Sequence, residues 1–432
     1  MSEQKNNNSG KRPAPKKTED INKAKSNDDL SEKLKRKKPA KKKKTVKSRV
    51  FKGLIVFSIF AFMYLVFVFS DNAFITKWRT IYIETAMTTN SHQWLATWFI
   101  PHDIIDQVMN KYHEGQDEQL GLESAWGDGS DKRFTDLVPD DEQEFYKLYH
   151  ELASDSFRQY LLDHPDVLAN GYKKIFIEDL DGELEIYTAQ GDKVLVVDVE
   201  NNLMIIGVKG EGYQGKMAIV KDSKQVVMAK ATTLGSFGQE IDRFCKDNDA
   251  ILGINASGFS DPGGVGTGAE VKGCLVIDGK DYGKHNDKKA WKFIGIDKRD
   301  ERMYISNYYK GIEENYRWGM EFYPCLIING KSVIDGTYGM GIQPRTALGQ
   351  HMDGTTFLLI IDGRQKHSLG CTVEECKNIL MRYGCYQAMN LDGGSSSVMY
   401  YRGQFITKPS SVSKRGRYMP NAILLKAAKD VE

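Results

Sequence analysis

Polar residues able to do chemistry sit where apolar runs stop. Ile251-Leu252-Gly253-Ile254 runs into Asn255, and Phe357-Leu358-Leu359-Ile360-Ile361 runs into Asp362, Gly363 and Arg364. Ala388-Met389 leads into Asn390, Leu391, Asp392, Gly393, Gly394, Ser395 and Ser396, while Arg345 opens Arg345-Thr346-Ala347-Leu348-Gly349. The runs read as buried strands, and polar loops presented by a rigid sheet are the usual place for binding and catalysis. Asp362 and Asp392 are candidate paired carboxylates, one an acid and one a nucleophile or base, the equipment for breaking a glycosidic bond. Arg345 and Arg364 carry guanidinium forks suited to phosphate or carboxylate. Gly393 and Gly394 permit positive φ and close approach, and the serines supply short donors and acceptors.

Each signal has a plainer reading. Asp-Gly is a common turn pair, so Asp392-Gly393 can be a hairpin turn and either Asp an Asx-turn. Either Arg can serve a structural carboxylate. The stretch Asp261-Pro262-Gly263-Gly264-Val265-Gly266-Thr267-Gly268 suits close ligand approach or is only a long connection. It is no phosphate P-loop, because no Gly-Lys-Ser/Thr follows. Ser396 lacks the Gly-x-Ser-x-Gly elbow of a serine hydrolase. His285, His351 and His367 lie in polar, loop-like surroundings without a nucleophile motif. The six cysteines (245, 274, 325, 371, 376 and 385) contain no Cys-x-x-Cys pair with zinc-like spacing, so a structural metal site is not indicated, and no cofactor is expected.

The positioning elements follow from periodicity. Four short alternating strands are expected around residues 174–178, 185–188, 194–198 and 203–207, with another over 217–221 and a helix near 239–246. Residues 139–163 read as one helix with an acidic first turn and Phe145, Leu148, Tyr149 and Leu152 on one face. Residues 100–112 read as a short helix after Pro101, and 115–135 as a loop. Thr372-Val373-Glu374-Glu375 is a capping box, with Gly384 closing its helix. Cys371 and Cys376 then fall at the N′ and N4 positions that touch, which makes them a candidate disulfide or a pair of buried thiols.

The first 52 of the 432 residues hold 19 Lys/Arg against 6 Asp/Glu, whereas the remainder holds 41 basic and 52 acidic residues. The basic stretch lacks apolar periodicity and is expected to be disordered. Gly53 to Phe69 carries no charge and is just long enough to cross a hydrocarbon core. The preceding positive region is too long for a cleaved leader, and no small-residue cleavage motif follows. The positive-inside bias puts the tail in the cytoplasm and the rest outside, with Trp78, Tyr82, Trp94 and Trp98 as interfacial anchors. The lysine clusters serve orientation and contact with anionic lipid rather than nucleic acid.

Taken in order, Asn255-Ala-Ser-Gly-Phe259, Tyr323-Pro-Cys-Leu-Ile-Ile-Asn-Gly330, Pro344-Arg-Thr-Ala-Leu-Gly349, Ile361-Asp-Gly-Arg364 and Asn390-Leu-Asp-Gly-Gly-Ser-Ser396 resemble the phosphodiester glycosidase family. The resemblance covers about residues 210–428. It implies hydrolysis of a sugar joined through its anomeric phosphate to another group, outside the cytoplasm, in the metabolism of a cell-surface glycan such as exopolysaccharide or wall polymer. It also implies that Asn255, Arg345, Asp362, Arg364, Asn390 and Asp392 to Ser396 line the pocket. This chain has Asn-Ala-Ser-Gly-Phe where the family usually has Asn-Gly-Gly-Phe, and Gly-Gly-Ser where Gly-Gly-Gly-Ser is common, which thickens both loops.

The expected fold is α+β, a mixed β-sheet core with flanking helices behind one N-terminal transmembrane helix. The chain divides into a tail (1–49), the membrane helix (50–70), a largely helical juxtamembrane region (71–170), a β-rich lead-in (171–209) and the catalytic domain (210–428). Two rival functions share the same pocket: a non-catalytic glycan-binding or wall-assembly protein, and a phosphodiesterase that cuts the P–O bond.

Overall fold

The central strands alternate between two cores. Met217 and Ile219 face one cluster of buried side chains while Ala218 and Val220 face another. Phe357, Leu359 and Ile361 likewise join the first and Leu358 and Ile360 the second. Because successive residues point to opposite faces, a strand covered on both sides must be apolar throughout. The computed structural model describes residues 46–89, 91–127, 137–261, 266–285 and 291–431; the basic tail to residue 45, and residues 262–265 of the Gly-rich loop, lie outside them.

Among the described residues the strands form three sheets of nine, five and five strands. The largest runs Phe176–Glu178, Lys193–Asp198, Leu203–Gly210, Tyr213–Val220, Thr356–Ile361, Arg345–His351, Cys385–Asn390, Cys325–Ile328 and Lys331–Ser332. The lead-in strands therefore extend the sheet that carries Arg345 and Asn390. A second sheet centres on Lys292–Asp297 and Tyr316–Phe322, and a third on Ala250–Asn255 between Met399–Tyr401 and Asn421–Lys426. The class is α+β, as expected from the sequence. The strand pairings, expected to be mixed, are antiparallel.

Helices cover the first face of the large sheet. Val373–Arg382 has the full capping box: Thr372 Oγ1 accepts the Glu375 N–H at 3.2 Å, and Glu375 accepts the Thr372 N–H at 2.7 Å. Its Val373, Cys376, Ile379 and Leu380 enter the core, and Gly384 closes it at φ 68°. The Cys371 and Cys376 sulfurs touch at 3.3 Å as free thiols, not as a disulfide. The helix read over 139–163 is two helices, Glu142–Leu148 and Ser154–Asp163. Between them Ala153 donates to the Tyr187 carbonyl at 2.9 Å and Glu151 accepts from Ala189 at 2.8 Å, so sheet-like pairing overrides the helical pattern. Phe145, Leu148, Tyr149 and Leu152 are all buried in the first core.

The N-terminal helix is Val46–Phe69, and its stretch Val50–Phe69 is long and apolar enough to cross a membrane. The chain parts into two units, residues to Tyr64 and Leu65–Glu432. Within the second, Ala73–Met87, Trp94–Thr97 and His102–Glu118 form a small helical cluster around Ile83, Ala96, Ile100 and Ile105. The last of these helices runs through 115–118, where the sequence suggested a loop. Trp78, Trp94 and Trp98 are exposed, whereas the Tyr82 hydroxyl donates to the Leu95 carbonyl at 2.5 Å.

Candidate active site

A cavity of about 450 Å³ opens where the strands Arg345–His351 and Cys385–Asn390 of the large sheet approach the loop after Ala250–Asn255. Its floor is the segment Leu391 to Ser396. That segment is pinned from beneath: Leu391 N–H donates to Thr346 O at 2.8 Å, Asp392 N–H to Ala256 O at 3.2 Å, and Gly394 N–H to Pro344 O at 2.9 Å. Asn255 Nδ2 donates to the Asp392 carbonyl at 2.6 Å, and its Oδ1 accepts from Thr346 Oγ1 at 2.8 Å and Val398 N–H at 3.2 Å. Asn390 Nδ2 donates to the Tyr323 carbonyl at 3.0 Å. Neither Asn lines the cavity; both brace the loop that does.

The floor needs its glycines. A Cβ on Gly393 would stand 2.8 Å from the Pro344 carbonyl oxygen, and Gly394 has φ 64° with the Arg364 guanidinium above it. Gly393→Ala is therefore expected to destabilise the protein by about 1–3 kcal/mol through overpacking and to cut activity with it. Thermal melting beside a rate measurement checks this; unchanged values for both would show that the floor can shift. The two departures from the family pattern point elsewhere. Ala256 and Ser257 are buried below the cavity, with Ser257 held by Asn421 at 2.9 and 3.1 Å, while Gly258 and Phe259 reach the cavity wall.

Asp392 is half-buried on this floor. Burial pushes its carboxyl up to about 6, partly offset by the hydrogen bond with Ser396 and by the charges of Arg417 and Lys272. Asp362 is not beside it. Its Oδ1 accepts the Lys408 N–H at 2.8 Å and its Oδ2 lies 3.1 Å from His367 Nε2, so its carboxylate is turned out of the cavity. The carboxylate that does share the cavity with Asp392 is Asp261. Both Asp261 oxygens are engaged by Arg417, Oδ1 at 2.8 Å from Nη2 and Oδ2 at 2.5 Å from Nη1. One carboxylate is thus tied to a cation and the other is held nearer neutrality, the asymmetry that separates two roles.

The two candidate arginines also part. Arg345 is fully buried and donates to the carbonyls of Cys371 (3.1 Å), Met340 (3.0 Å) and Gly341 (2.7 Å). It contributes charge to the cavity and holds the 340–343 loop. Arg364, at φ 56°, donates from Nη2 to Gln343 Oε1 at 3.0 Å and lies over Gly394. Burial and the nearby Arg345 charge disfavour its cationic form. With Lys272 and Arg417, four cations line the cavity against two carboxylates among the described residues, which suits an anionic ligand. Trp291 and Phe322, ring centroids 5.3 Å apart, add an apolar wall.

One wall comes from a part of the chain with no chemical signature. Thr88, Thr89 and His92 follow the helix Ala73–Met87, and Tyr112 lies on His102–Glu118. These helices lock onto the 337–343 loop: Ile342 N–H donates to Thr85 Oγ1 at 3.0 Å, and the Gly341 Cα faces Thr85 with no room for a Cβ. A larger cavity of about 820 Å³ is lined by Lys193, Lys209, Lys216 and Lys408 but by none of the glycine-flanked floor residues.

Residues 248–426, which supply the floor and most of the walls, match the family model described as phosphodiester glycosidase. They form a phosphodiester glycosidase-family domain. The chain is 28% identical over 187 residues to the SPbeta prophage-derived uncharacterized protein YomE of Bacillus subtilis (strain 168), a match covering 39% of this chain and 27% of that protein. The chain thus spans about a quarter of that relative's length. Among solved structures, it is similar to the zebrafish N-acetylglucosamine-1-phosphodiester alpha-N-acetylglucosaminidase catalytic domain auto-inhibited by pro-peptide, at 18% identity. That match covers 52% of this chain and 82% of the other, with a TM-score of 0.43. A putative exported protein of Burkholderia pseudomallei K96243 matches at 14% identity over 50% of this chain and 74% of its own, with a TM-score of 0.38.

Proposed function

We propose that the protein hydrolyses the glycosidic bond of a sugar-1-phosphodiester in a cell-surface glycan, outside the cytoplasm, anchored by its N-terminal helix with the basic tail inside. The observation that carries this reading is the excess of cations, Arg345, Arg364, Lys272 and Arg417, around the raised Asp392 carboxyl on a glycine-rich floor. Arg364 holds the phosphodiester, with Arg345 adding charge behind it. The apolar wall of Trp291 and Phe322 takes a face of the sugar. Water adds at the anomeric carbon, the bond from that carbon to the phosphate oxygen breaks, and a free sugar and a phosphomonoester leave. Because the departing phosphate is already anionic and held by guanidinium, the step needs a base or nucleophile more than an acid. Asp392 fills that role in its ionised form.

The sign of the pH dependence follows. With its carboxyl at about 6, Asp392 is mostly protonated below that pH and ionised above it. The rate is expected to rise with pH and level off above about 6, falling about tenfold per unit on the acid side. Initial rates from pH 4.5 to 8 check this. A rate that instead falls as pH rises through 6 would assign Asp392 as an acid. The full chain in detergent micelles, supplied with a GlcNAc-1-phosphodiester of a chromogenic alcohol, is expected to release free GlcNAc. Binding without turnover would leave a glycan-binding protein, and release of GlcNAc-1-phosphate would indicate P–O cleavage.

A further inference from the structure

Two histidines and an aspartate meet at the far end of the Arg345–His351 strand from the cavity. His351 ends that strand, and Asp353 lies in the turn leading to Thr356–Ile361. His150, 203 residues before Asp353, follows the helix Glu142–Leu148. One ligand atom from each of the three lies within 4.8 Å of the others. Asp353 Oδ2 is 3.3 Å from His150 Nε2, and Oδ1 is 2.9 Å from His351 Nδ1. A tetrahedral ion with bonds of about 2.0–2.1 Å sets its ligand atoms roughly 3.3 Å apart.

The hydrogen bonds bring out what the cluster lacks. His351 Nδ1 accepts the Asp353 N–H at 3.2 Å, which requires a lone pair on that nitrogen. The same nitrogen faces the Asp353 carboxylate at 2.9 Å, so two acceptors meet. A proton on His351 relieves that contact but gives up the backbone bond, and it does nothing for His150. A metal ion on that lone pair gives up the backbone bond too, but unlike a proton it satisfies the carboxylate and both imidazoles together. The carboxylate is preset, since Oδ1 also accepts the Thr355 N–H at 2.9 Å and Asp353 is 8% exposed. The His351 ring is backed by Gly384, where a Cβ would stand 3.0 Å from Cδ2 and Nε2. Glu151 Oε1 lies 3.8 Å from the same His150 Nε2, but Lys221 holds that carboxylate at 2.6 Å in a buried ion pair, so it is not counted among the ligands.

We propose that His150, His351 and Asp353 form a divalent-metal site of the zinc type, separate from the catalytic cavity. Two imidazoles and one carboxylate are a borderline nitrogen–oxygen set that suits Zn²⁺ rather than the all-oxygen shells of Ca²⁺ or Mg²⁺. The exposed side of His150 leaves the fourth position to water. The ion fastens the break between Glu142–Leu148 and Ser154–Asp163 to the hairpin of the large sheet. Its role is to hold the fold.

Zinc titration of the tag-free full chain in detergent, after chelator treatment, tests the site. One Zn²⁺ per chain by calorimetry and elemental analysis is expected, with a rise of several degrees in melting temperature. Co²⁺ substitution is expected to give the visible absorption of a four-coordinate nitrogen–oxygen site. His150→Ala alters a half-exposed side chain and is expected to fold while binding Zn²⁺ at least about tenfold more weakly; Asp353→Asn should do the same. No uptake by the wild type at 100 µM Zn²⁺, or uptake unchanged in both variants, would overturn the site.

Discussion

Asp392→Asn is expected to lower kcat/KM on a sugar-1-phosphodiester by about a thousandfold or more, without any loss of stability. The substitution keeps shape and hydrogen-bonding reach, so the floor segment should stay pinned through Asn255, Ala256, Thr346 and Pro344. The stability side has a definite sign. The folded-state carboxyl is raised from 3.8 to about 6, so folding favours the protonated form. That contribution is complete below about pH 4 and is lost as pH rises through about 6; above that, the buried charge costs up to about 3 kcal/mol. The amide carries no such cost. At pH 7.5 the variant should melt at or above the wild-type temperature, and the gap should close on acidification to pH 4. A variant that melts well below wild type would make Asp392 a structural carboxylate.

The two arginines should separate in opposite directions. Arg345→Ala leaves the carbonyls of Met340, Gly341 and Cys371 without their buried donor, and is expected to cost about 3–5 kcal/mol of stability. Arg364→Gln gives up the hydrogen bond to Gln343 and should shift stability by about 1 kcal/mol or less. Its effect falls on the substrate: kcat/KM down by about a hundredfold or more, because a bidentate phosphate contact is lost. Denaturant melts and kinetics on both variants check the split. Equal stability losses would mean that both arginines are structural.

This division was half legible in the sequence. A run of apolar residues ending in Asp-Gly-Arg or Asn-Leu-Asp-Gly-Gly locates the end of a buried strand, and Arg345, Asp392 and the glycines do come together. What the run does not fix is the direction of a side chain just past the strand, because the two-residue alternation stops at Ile361 and Arg364 takes a positive φ of 56°. Asp362 is turned toward Lys408 and His367, and Arg364 two residues later reaches the cavity. Asp261 was visible only as part of a glycine-rich stretch, because its pairing with Arg417 spans 156 residues. The capping box at Thr372 was readable because all its atoms lie within four residues. The break at Tyr149–Ala153 was not, since the competing hydrogen bonds come from Tyr187 and Ala189. The wall from Thr88 to Tyr112 has ordinary helix composition, and contacts with the 337–343 loop and Tyr323 give it a place at the site.

In the proposed reaction the bond from the anomeric carbon to oxygen breaks under Asp392, with phosphate as the leaving group. Hydrolysis of a GlcNAc-1-phosphodiester in ¹⁸O-labelled water tests it most directly. Mass spectrometry of the products, taken early enough to precede exchange at the free anomeric hydroxyl, is expected to find the label in the sugar and an unlabelled phosphomonoester. Label in the phosphate would show that the P–O bond breaks instead and would rule out the proposed reaction.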